Sequence, residues 1–237
     1  MNRFVAMALI GAALSATCVT SASAVTLPYT EDFSVDNANW GGSTATSLVF
    51  AAPTYVSTGG PLGAGDAYIS TPKVYSSNPL GQVTFRGQGN FDSSGDAFVG
   101  DWIARNVTEL SFWIRQQSNT TLHVGTRFAG AGNNPGANIM YQTPIQPNVW
   151  TLITMPISST STPDFVYTDE GGSFNFVFSS LSNVQILVQK DDLETGTTVT
   201  IDVDKISIVP EPSSVVLVGM GLAIAGVAAF RRRRSAK

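Results

Sequence analysis

Residues able to do covalent chemistry are few in this chain of 237 residues. It contains one histidine, His123, and one cysteine, Cys18, which excludes multi-ligand His/Cys metal sites, Cys-His nucleophile pairs and disulfide frameworks. A serine triad would have to use His123, and no Gly-x-Ser-x-Gly nucleophile elbow is present. Carboxylates, hydroxyls, amides and aromatic rings remain. That composition favours binding over catalysis, so we predict that the protein is not an enzyme.

Acidic side chains are grouped in places where they could in principle act in pairs. Two carboxylates flanking a glycosidic bond can hydrolyse it, provided that burial raises the pKa of one of them. The candidate groups lie in segments that read as glycine- or serine-rich turns, which select Asp for its backbone hydrogen bonding; they are Asp92/Asp96/Asp101, Asp169/Glu170 and Asp191/Asp192/Glu194. Solvated turn acids are the favoured interpretation. A secreted carbohydrate-active hydrolase stays open as the alternative.

A structural calcium ion is a second use for such oxygens, since calcium takes six to eight oxygen ligands. Carboxylates stand near both ends of the central region, at Glu31 and Asp32 and at Asp202 and Asp204. If the first and last strands meet, these four groups could converge. We therefore name them as the expected ligands of a structural calcium site; no other cofactor is expected.

The elements that must position these residues are strands. Short runs rich in Val, Ile, Thr and aromatic residues alternate with Gly, Pro, Asn and Ser, and no stretch between 25 and 209 has convincing helical periodicity. Clear alternation occurs at 110–115, 121–128 and 184–188, followed by a long β-branched run at 199–209; further strands are expected near 48–51, 67–70, 82–86, 149–157 and 174–178. This pattern predicts an all-β domain over 25–208, an antiparallel β-sandwich of the jelly-roll type.

Strand parity then predicts one polar surface. If Phe112, Val124 and their alternating partners face the core, the residues between them share the opposite face. The set combines an aromatic ring with amides and guanidinium donors, which suits stacking on a sugar and reading its hydroxyls; it consists of Trp113, Arg115, His123, Arg127, Gln185 and Gln189. The alternative is that the glycine-rich segment 129–138 covers Trp113, because tryptophan is highly buried on average.

Two segments resemble known extracellular modules. Asp96-Ala97-Phe98-Val99-Gly100-Asp101-Trp102, with Leu110-Ser111-Phe112-Trp113-Ile114-Arg115 after it, resembles the centre of laminin B modules. Val203-Asp204-Lys205-Ile206-Ser207-Ile208 is similar to the closing strand of galactose-binding-like jelly rolls, although Lys205 stands where Asn or Asp is usual. Glu31-Asp32-Phe33, with Trp40 after it, is similar to their opening segment. The resemblance implies a sandwich of the kind that carries carbohydrate-binding modules.

The N-terminus has the layout of a secretory signal peptide over residues 1–24. Arg3 precedes an apolar run from Phe4 to Leu14, and Ala22-Ser23-Ala24 places cleavage before Val25. Export machinery and a signal peptidase are the partners that this layout predicts. Cys18 would be lost with the peptide, which leaves the mature protein without a cysteine.

The C-terminus carries three features in order. Pro210-Glu211-Pro212 keeps the backbone extended, a 16-residue apolar run at 215–230 predicts a transmembrane helix, and arginines follow it at Arg231, Arg232, Arg233 and Arg234. Together, over residues 209–237, they resemble the PEP-CTERM sorting signal. This resemblance implies an exosortase substrate whose tail is removed as the protein is delivered to the surface or extracellular matrix of a Gram-negative bacterium. An ordinary single-span anchor is the alternative.

The net charge of the central region excludes some classes of binding partner. Between Val25 and Val209 the chain has 16 acidic and 7 basic residues, a net charge near −9, which repels nucleic acid and anionic membranes. We therefore expect an exported cell-surface or matrix protein with a non-enzymatic sandwich that binds polysaccharide or acts in adhesion. Besides the hydrolase, a purely structural surface protein remains an alternative, favoured if the Trp113 face is buried.

Overall fold

A computed structural model describes residues 26–43, 50–75, 83–189 and 194–211 of the chain. The signal peptide, the apolar run at 215–230, the arginine cluster and the acids Asp191 and Asp192 lie outside these ranges. Within them, no helix has the length and apolar character needed to cross a membrane. The described ranges contain thirteen strands: β1 Tyr29–Glu31, β2 Gly41–Ser43, β3 Phe50–Ala51, β4 Thr54–Val56, β5 Tyr68–Val74, β6 Val83–Gln88, β7 Val107–Gln116, β8 Val124–Ala129, β9 Gly136–Tyr141, β10 Thr151–Pro156, β11 Phe165–Glu170, β12 Asn183–Val188 and β13 Thr198–Pro210.

The strands form two antiparallel sheets. Sheet I has the order β10-β7-β13-β5-β4, with β1 also paired to β13, and sheet II has the order β11-β9-β8-β12-β6-β2-β3. Side chains from both sheets share one hydrophobic core, in which Phe112 of β7 and Phe128 of β8 are completely buried. The two sheets therefore pack face to face, and the all-β sandwich predicted from the sequence is confirmed.

Alternation explains why each strand buries one face. On β7, Leu110, Phe112 and Ile114 have no exposed surface, whereas Ser111, Trp113 and Arg115 between them are only partly buried. A strand turns successive side chains to opposite faces, so the apolar set meets the core and the intervening set points outward. The same parity places Val124 and Phe128 of β8 in the core and Arg127 outside.

The prediction of a strand near 174–178 is wrong, because these residues form the helix α1, Phe174–Phe178. Val177 and Phe178 are buried, and the rings of Phe174 and Phe178 stack with centroids 4.4 Å apart. Positions i, i+3 and i+4 share one helical face, so this spacing buries three apolar side chains in a single turn. A strand would have separated Val177 from both phenylalanines.

A bulge interrupts the last strand. Asp204 lies opposite Trp113 and Ser207 lies opposite Ser111, so β13 advances by three residues over a stretch in which β7 advances by two. Lys205 takes up the extra step in a left-handed conformation with φ of 49°. A bulge of this kind shifts the side-chain parity. As a result, Val203 and Ile206 both face the core although they are three residues apart.

Candidate functional site

The single polar surface predicted from strand parity does not exist, because its residues lie on two different sheets. Trp113 and Arg115 belong to β7, whose neighbours in sheet I are β10 and β13. Arg127 belongs to β8, whose neighbours in sheet II are β12 and β9. Successive strands of the chain here cross from one layer of the sandwich to the other. Parity was therefore predicted correctly for each strand, but the two sets of side chains point to opposite sides of the domain.

Trp113 lies on the outer face of sheet I, on the strand next to the edge strand β10. It lies opposite Leu152 on one neighbouring strand and opposite Asp204 on the other. Leu152 is 47% exposed, and Trp113 itself is partly exposed. The alternative, that segment 129–138 covers Trp113, does not hold, because that segment lies on the sheet II side. Among the described residues Trp113 has no hydrogen bond and no ring contact. Trp113 therefore combines partial exposure with an indole N–H that no described residue accepts.

A row of hydroxyl groups runs across sheet I next to Trp113. Thr154 of β10, Ser111 of β7, Ser207 of β13 and Thr30 of β1 occupy facing register positions on four adjacent strands. The Thr30 hydroxyl donates to Ser207 Oγ at 2.9 Å, and Ser207 Oγ donates to the Tyr29 carbonyl at 3.1 Å. Hydroxyls both donate and accept hydrogen bonds. The row can therefore match the same groups on a sugar.

Arg115 lies on the same outer face of sheet I and is held in place by several contacts. Its Nε donates to Asp202 Oδ2 at 2.8 Å, and its guanidinium lies 4.6 Å from the ring centroid of Trp150 and 5.2 Å from that of Tyr68. Trp150 is held in turn by a 3.1 Å hydrogen bond from Nε1 to the Gly59 carbonyl. Planar guanidinium groups stack on aromatic faces and pair with carboxylates at once. Arg115 therefore supports the surface around Trp113 rather than standing free on it.

Asp204 is in register with Trp113 and points to the same outer face of sheet I, yet it has no exposed surface because other residues cover it. Burial raises the pKa of Asp204 to about 7, against the partly opposing effects of the Lys205 backbone N–H and ammonium group. The Lys205 ammonium lies 3.8 Å from Asp204 Oδ2 but only 2.9 Å from Asp66 Oδ1. Burial also acts to raise the pKa of Asp66. Its hydrogen bonds with the Lys205 ammonium and the Leu62 N–H outweigh this effect and hold the pKa of Asp66 below its ordinary value. The ion pair to Asp66 therefore attaches segment 57–66 to sheet I.

The other predicted residues belong to sheet II, on the neighbouring strands β8 and β12 or directly beside them. Gln185 of β12 faces Arg127 of β8 in register, and the Gln189 N–H donates to the His123 carbonyl at 2.9 Å. Sequence reasoning missed Arg86, which faces Gln185 from β6, and Asn133, which reaches over the strands from the loop before β9. Alternation against the buried Phe85 could have revealed Arg86. Nothing in the sequence pattern could have placed Asn133.

The acids predicted to lie in turns divide into two kinds. Asp92, Asp96 and Asp101 lie in turns and are exposed, as expected. Asp169 and Glu170 instead lie on β11, which corrects the prediction for this pair. Glu170 Oε2 accepts from Arg127 Nε at 2.6 Å and Oε1 accepts from Asn138 at 2.5 Å, while Asp169 accepts from the Tyr167 hydroxyl. Glu170 is therefore part of the sheet II network.

The ends of the domain meet as expected for a calcium site, since β1 pairs with β13 and Glu31 lies opposite Ile206. The carboxylates themselves have separate partners: Glu31 accepts from the Phe33 N–H and the Tyr29 hydroxyl, and Asp202 from Arg115 and Gln117. In the ranges that the structure describes, no group of three or more His, Cys, Asp or Glu side chains could hold a metal ion. Calcium binding by Glu31, Asp32, Asp202 and Asp204 stays a prediction.

The segment that resembles laminin B modules is structural. Phe98 and Trp102 are buried in the core, where the Trp102 ring meets Phe128 edge-on with centroids 5.6 Å apart. Gly100 has φ of 100°, a conformation that only glycine adopts readily, and it forms a bridge with Leu181. The motif thus encodes a tight turn between two core aromatic residues.

Comparison with solved structures gives distant likenesses. The chain is similar to an exo-beta-agarase at 13% identity and a TM-score of 0.49, over 77% of this chain and 25% of that one, so it spans about a quarter of the agarase. It is similar to a family 11 carbohydrate-binding module from Clostridium thermocellum, in complex with a mixed-linked tetrasaccharide, at 13% identity and a TM-score of 0.45, over 76% and 93% of the two chains. The L4b domain of human laminin alpha-2 is similar at 12% identity and a TM-score of 0.35, over 68% and 98%.

The tail gives a specific match. No protein of curated function matches the sequence. Residues 209–234, however, match the family model of the PEP-CTERM protein-sorting motif, as the Pro-Glu-Pro segment, apolar run and arginines indicated. Most of this match lies beyond the described residues, which end at Glu211. The chain therefore carries a PEP-CTERM protein-sorting motif, which indicates an exported protein made as a membrane-anchored precursor and implies processing by an exosortase.

Proposed function

We propose that the β-sandwich is a non-enzymatic polysaccharide-binding domain, delivered to the cell surface or extracellular matrix when the sorting tail is removed. The observation that carries this proposal is Trp113. It is an indole on the strand next to the edge of sheet I, partly exposed, with its N–H unpaired among the described residues and a row of hydroxyls beside it. The other described tryptophans have their rings packed against aromatic side chains.

The dimensions of this face suit an extended chain of sugars. Neighbouring strands lie about 4.8 Å apart and residues two apart on a strand about 6.6–7 Å apart. The hydroxyl row spans three strand intervals, roughly 14 Å, and Ser111 lies one such two-residue step from Trp113. A pyranose stacked on the indole would therefore have hydroxyl partners within reach, and adjoining sugars could follow the row.

The covered carboxylates of sheet I support binding rather than hydrolysis. Glycosidases need two carboxyl groups that reach the scissile bond from opposite sides. Asp202 and Asp204 are completely buried, and Asp202 is committed to Arg115 and Gln117. The raised pKa of Asp204 would suit a general acid, but a side chain with no exposed surface cannot touch a bound ligand.

The test is retention of the full chain, purified in mild detergent, during electrophoresis through gels that contain single polysaccharides, with neutral and acidic glucans, galactans and xylans compared. We expect at least one polysaccharide to slow the protein and no reducing ends to be released from it during prolonged incubation. Release of reducing ends would identify a hydrolase. Unretarded migration in every gel would leave a structural surface protein as the better description.

A further inference from the structure

A pocket of about 280 Å³ lies at one edge of sheet II, where β2 and β3 meet two turns. Its lining includes Asn37, Asn39 and Trp40 from the turn before β2, Ala52 from the end of β3, and Phe91 from the turn after β6. None of the lining residues is charged. Sites for small molecules have volumes of about 300–1,000 Å³, so this pocket has room for one or two sugar rings and not for a long chain.

The apolar part of the lining contains two aromatic rings that differ in exposure. Phe91 is 40% exposed, and its ring contacts no other aromatic ring of the described residues. Trp40 is buried, and its Nε1 donates to Ser94 Oγ at 2.9 Å. An exposed aromatic ring offers a large apolar contact area, which suits the C–H groups on one face of a sugar ring. Phe91 can therefore stack on a sugar in the pocket without any loss of core packing.

The polar part of the lining is supplied by Asn39. Its side chain is exposed and forms no hydrogen bond with the described residues, so its amide retains both its donor and its acceptor groups. Asn37 is already used within the protein, because its Oδ1 accepts from the Asn39 backbone N–H at 3.1 Å and its Nδ2 donates to the Pro53 carbonyl at 3.4 Å. Sugar hydroxyls both donate and accept hydrogen bonds, as does the Asn39 amide.

The two functional walls of the pocket are joined to each other without a ligand. Ser93 Oγ donates to the Asn39 carbonyl at 2.8 Å, and the Ser94 N–H donates to the Ala38 carbonyl at 2.8 Å. Both serines belong to the turn that directly follows Phe91. The backbones of Asn39 and Phe91 are therefore held relative to each other, and a ligand does not have to order them when it binds.

We propose that this pocket is a second carbohydrate site, one that takes the neutral terminal sugar of a glycan, with Phe91 stacked on the sugar ring and the Asn39 amide bound to its hydroxyls. The volume of the pocket limits the occupant to the end or a side branch of a glycan. An uncharged lining, within a domain of net charge near −9, disfavours acidic sugars. The pocket shares no residue with the Trp113 face, so this proposal does not depend on polysaccharide binding there.

The chain contains four tryptophans, Trp40, Trp102, Trp113 and Trp150, which allows one experiment to report on both sites. The full chain is labelled with 5-fluorotryptophan, purified in mild detergent, and its fluorine resonances are assigned with single Trp→Phe variants. It is then titrated with the methyl glycosides of glucose, galactose, mannose and xylose. We expect at least one glycoside to shift the Trp40 resonance in a saturable way, at the millimolar concentrations that suit a ligand of one sugar ring.

Three variants test the residues of the pocket. Phe91→Ala should weaken the binding that shifts Trp40 by at least about tenfold, because the stacking surface is lost. Asn39→Gly should also weaken it, since glycine accepts the φ of 57° at this position and removes only the amide. Ala52→Phe should prevent binding by filling the pocket from an exposed position. Phe176→Ala is the matched control, because Phe176 is an exposed phenylalanine of α1 outside the pocket, and it should bind as the unaltered chain does.

The results separate this proposal from the function proposed for sheet I. A Trp40 shift that persists in Trp113→Ala supports the pocket, whereas a glycoside that shifts Trp113 alone supports the sheet I face and overturns the pocket. Absence of a Trp40 shift with all four glycosides, or undiminished binding by Phe91→Ala or Ala52→Phe, would also overturn it. The resonance of Trp102, which is buried in the core, shows whether each variant is folded. Phe91 is exposed, so Phe91→Ala decides the question even if Ala52→Phe does not fold.

Discussion

Trp113 and Phe112 are adjacent residues on β7 with opposite expected roles, and their alanine variants test the proposed function. Phe112 has no exposed surface and belongs to the shared core, whereas Trp113 is partly exposed on the outer face of sheet I. Phe112→Ala should destabilise the domain without acting on the ligand directly. Trp113→Ala should remove the ligand platform and leave the core intact.

The two magnitudes differ enough to be separated. Removing a fully buried phenylalanine costs about 3–5 kcal/mol through lost burial and the cavity that remains. With about 2–4 °C of melting temperature per kcal/mol in a domain of this size, Phe112→Ala should melt roughly 6–20 °C lower than the unaltered chain. Burying one large apolar side chain contributes about 1.5–3 kcal/mol. At a factor of ten per 1.4 kcal/mol, Trp113→Ala should weaken polysaccharide binding by about 10- to 150-fold.

The assay combines thermal unfolding of the full chain with affinity electrophoresis on a polysaccharide that retains it. Trp113→Phe is a useful third variant, because it keeps a ring and loses the unpaired N–H. It should bind with intermediate strength. If Trp113→Ala lowers the melting temperature as much as Phe112→Ala does, the tryptophan is a core residue and not a ligand platform. A Trp113→Ala variant that is stable and still fully retained would equally contradict the proposed role.

Two further predictions concern the tail and the buried acid. If an exosortase recognises the Pro-Glu-Pro segment, Glu211→Ala should leave an unprocessed, membrane-bound precursor in cells, detected by its larger mass on immunoblots. Normal processing of this variant would favour a plain anchor. Burial raises the pKa of Asp204 in the folded protein to about 7, against an ordinary value of 3.8, so between these pH values the folded protein binds one more proton than the unfolded chain. The free energy of unfolding should therefore fall as the pH rises from about 4 to about 7, by up to roughly 4 kcal/mol. Asp204→Asn should flatten this fall in urea unfolding measured at several pH values, whereas identical pH profiles would show that Asp204 is ionised at no cost.

Strand parity could be predicted from sequence because it is a local property. A strand alternates its side chains whatever it pairs with, so the buried faces of β7, β8 and β12 follow from the order of apolar residues alone. Pairing is not local. The inference that Trp113 and Arg127 share a surface required β7 and β8 to be neighbours, and the structure places them in different sheets. Likewise, the apolar residues at 174–178 fit either a short strand or one helical turn, and contacts with Phe128 in the core favour the helix.

The sorting motif, and with it export, and the all-β class could be predicted from the sequence, since each depends on composition or on contiguous residues. Tertiary structure alone decided which polar residues meet. Asn133 reaches Arg86 and Arg127 from a loop, and Arg115 meets Trp150 and Tyr68 from three separate segments. Lys205 shows the same division: its left-handed conformation follows from a bulge that β13 needs to keep both Val203 and Ile206 in the core. Such contacts arise from packing between distant segments, which no local pattern specifies.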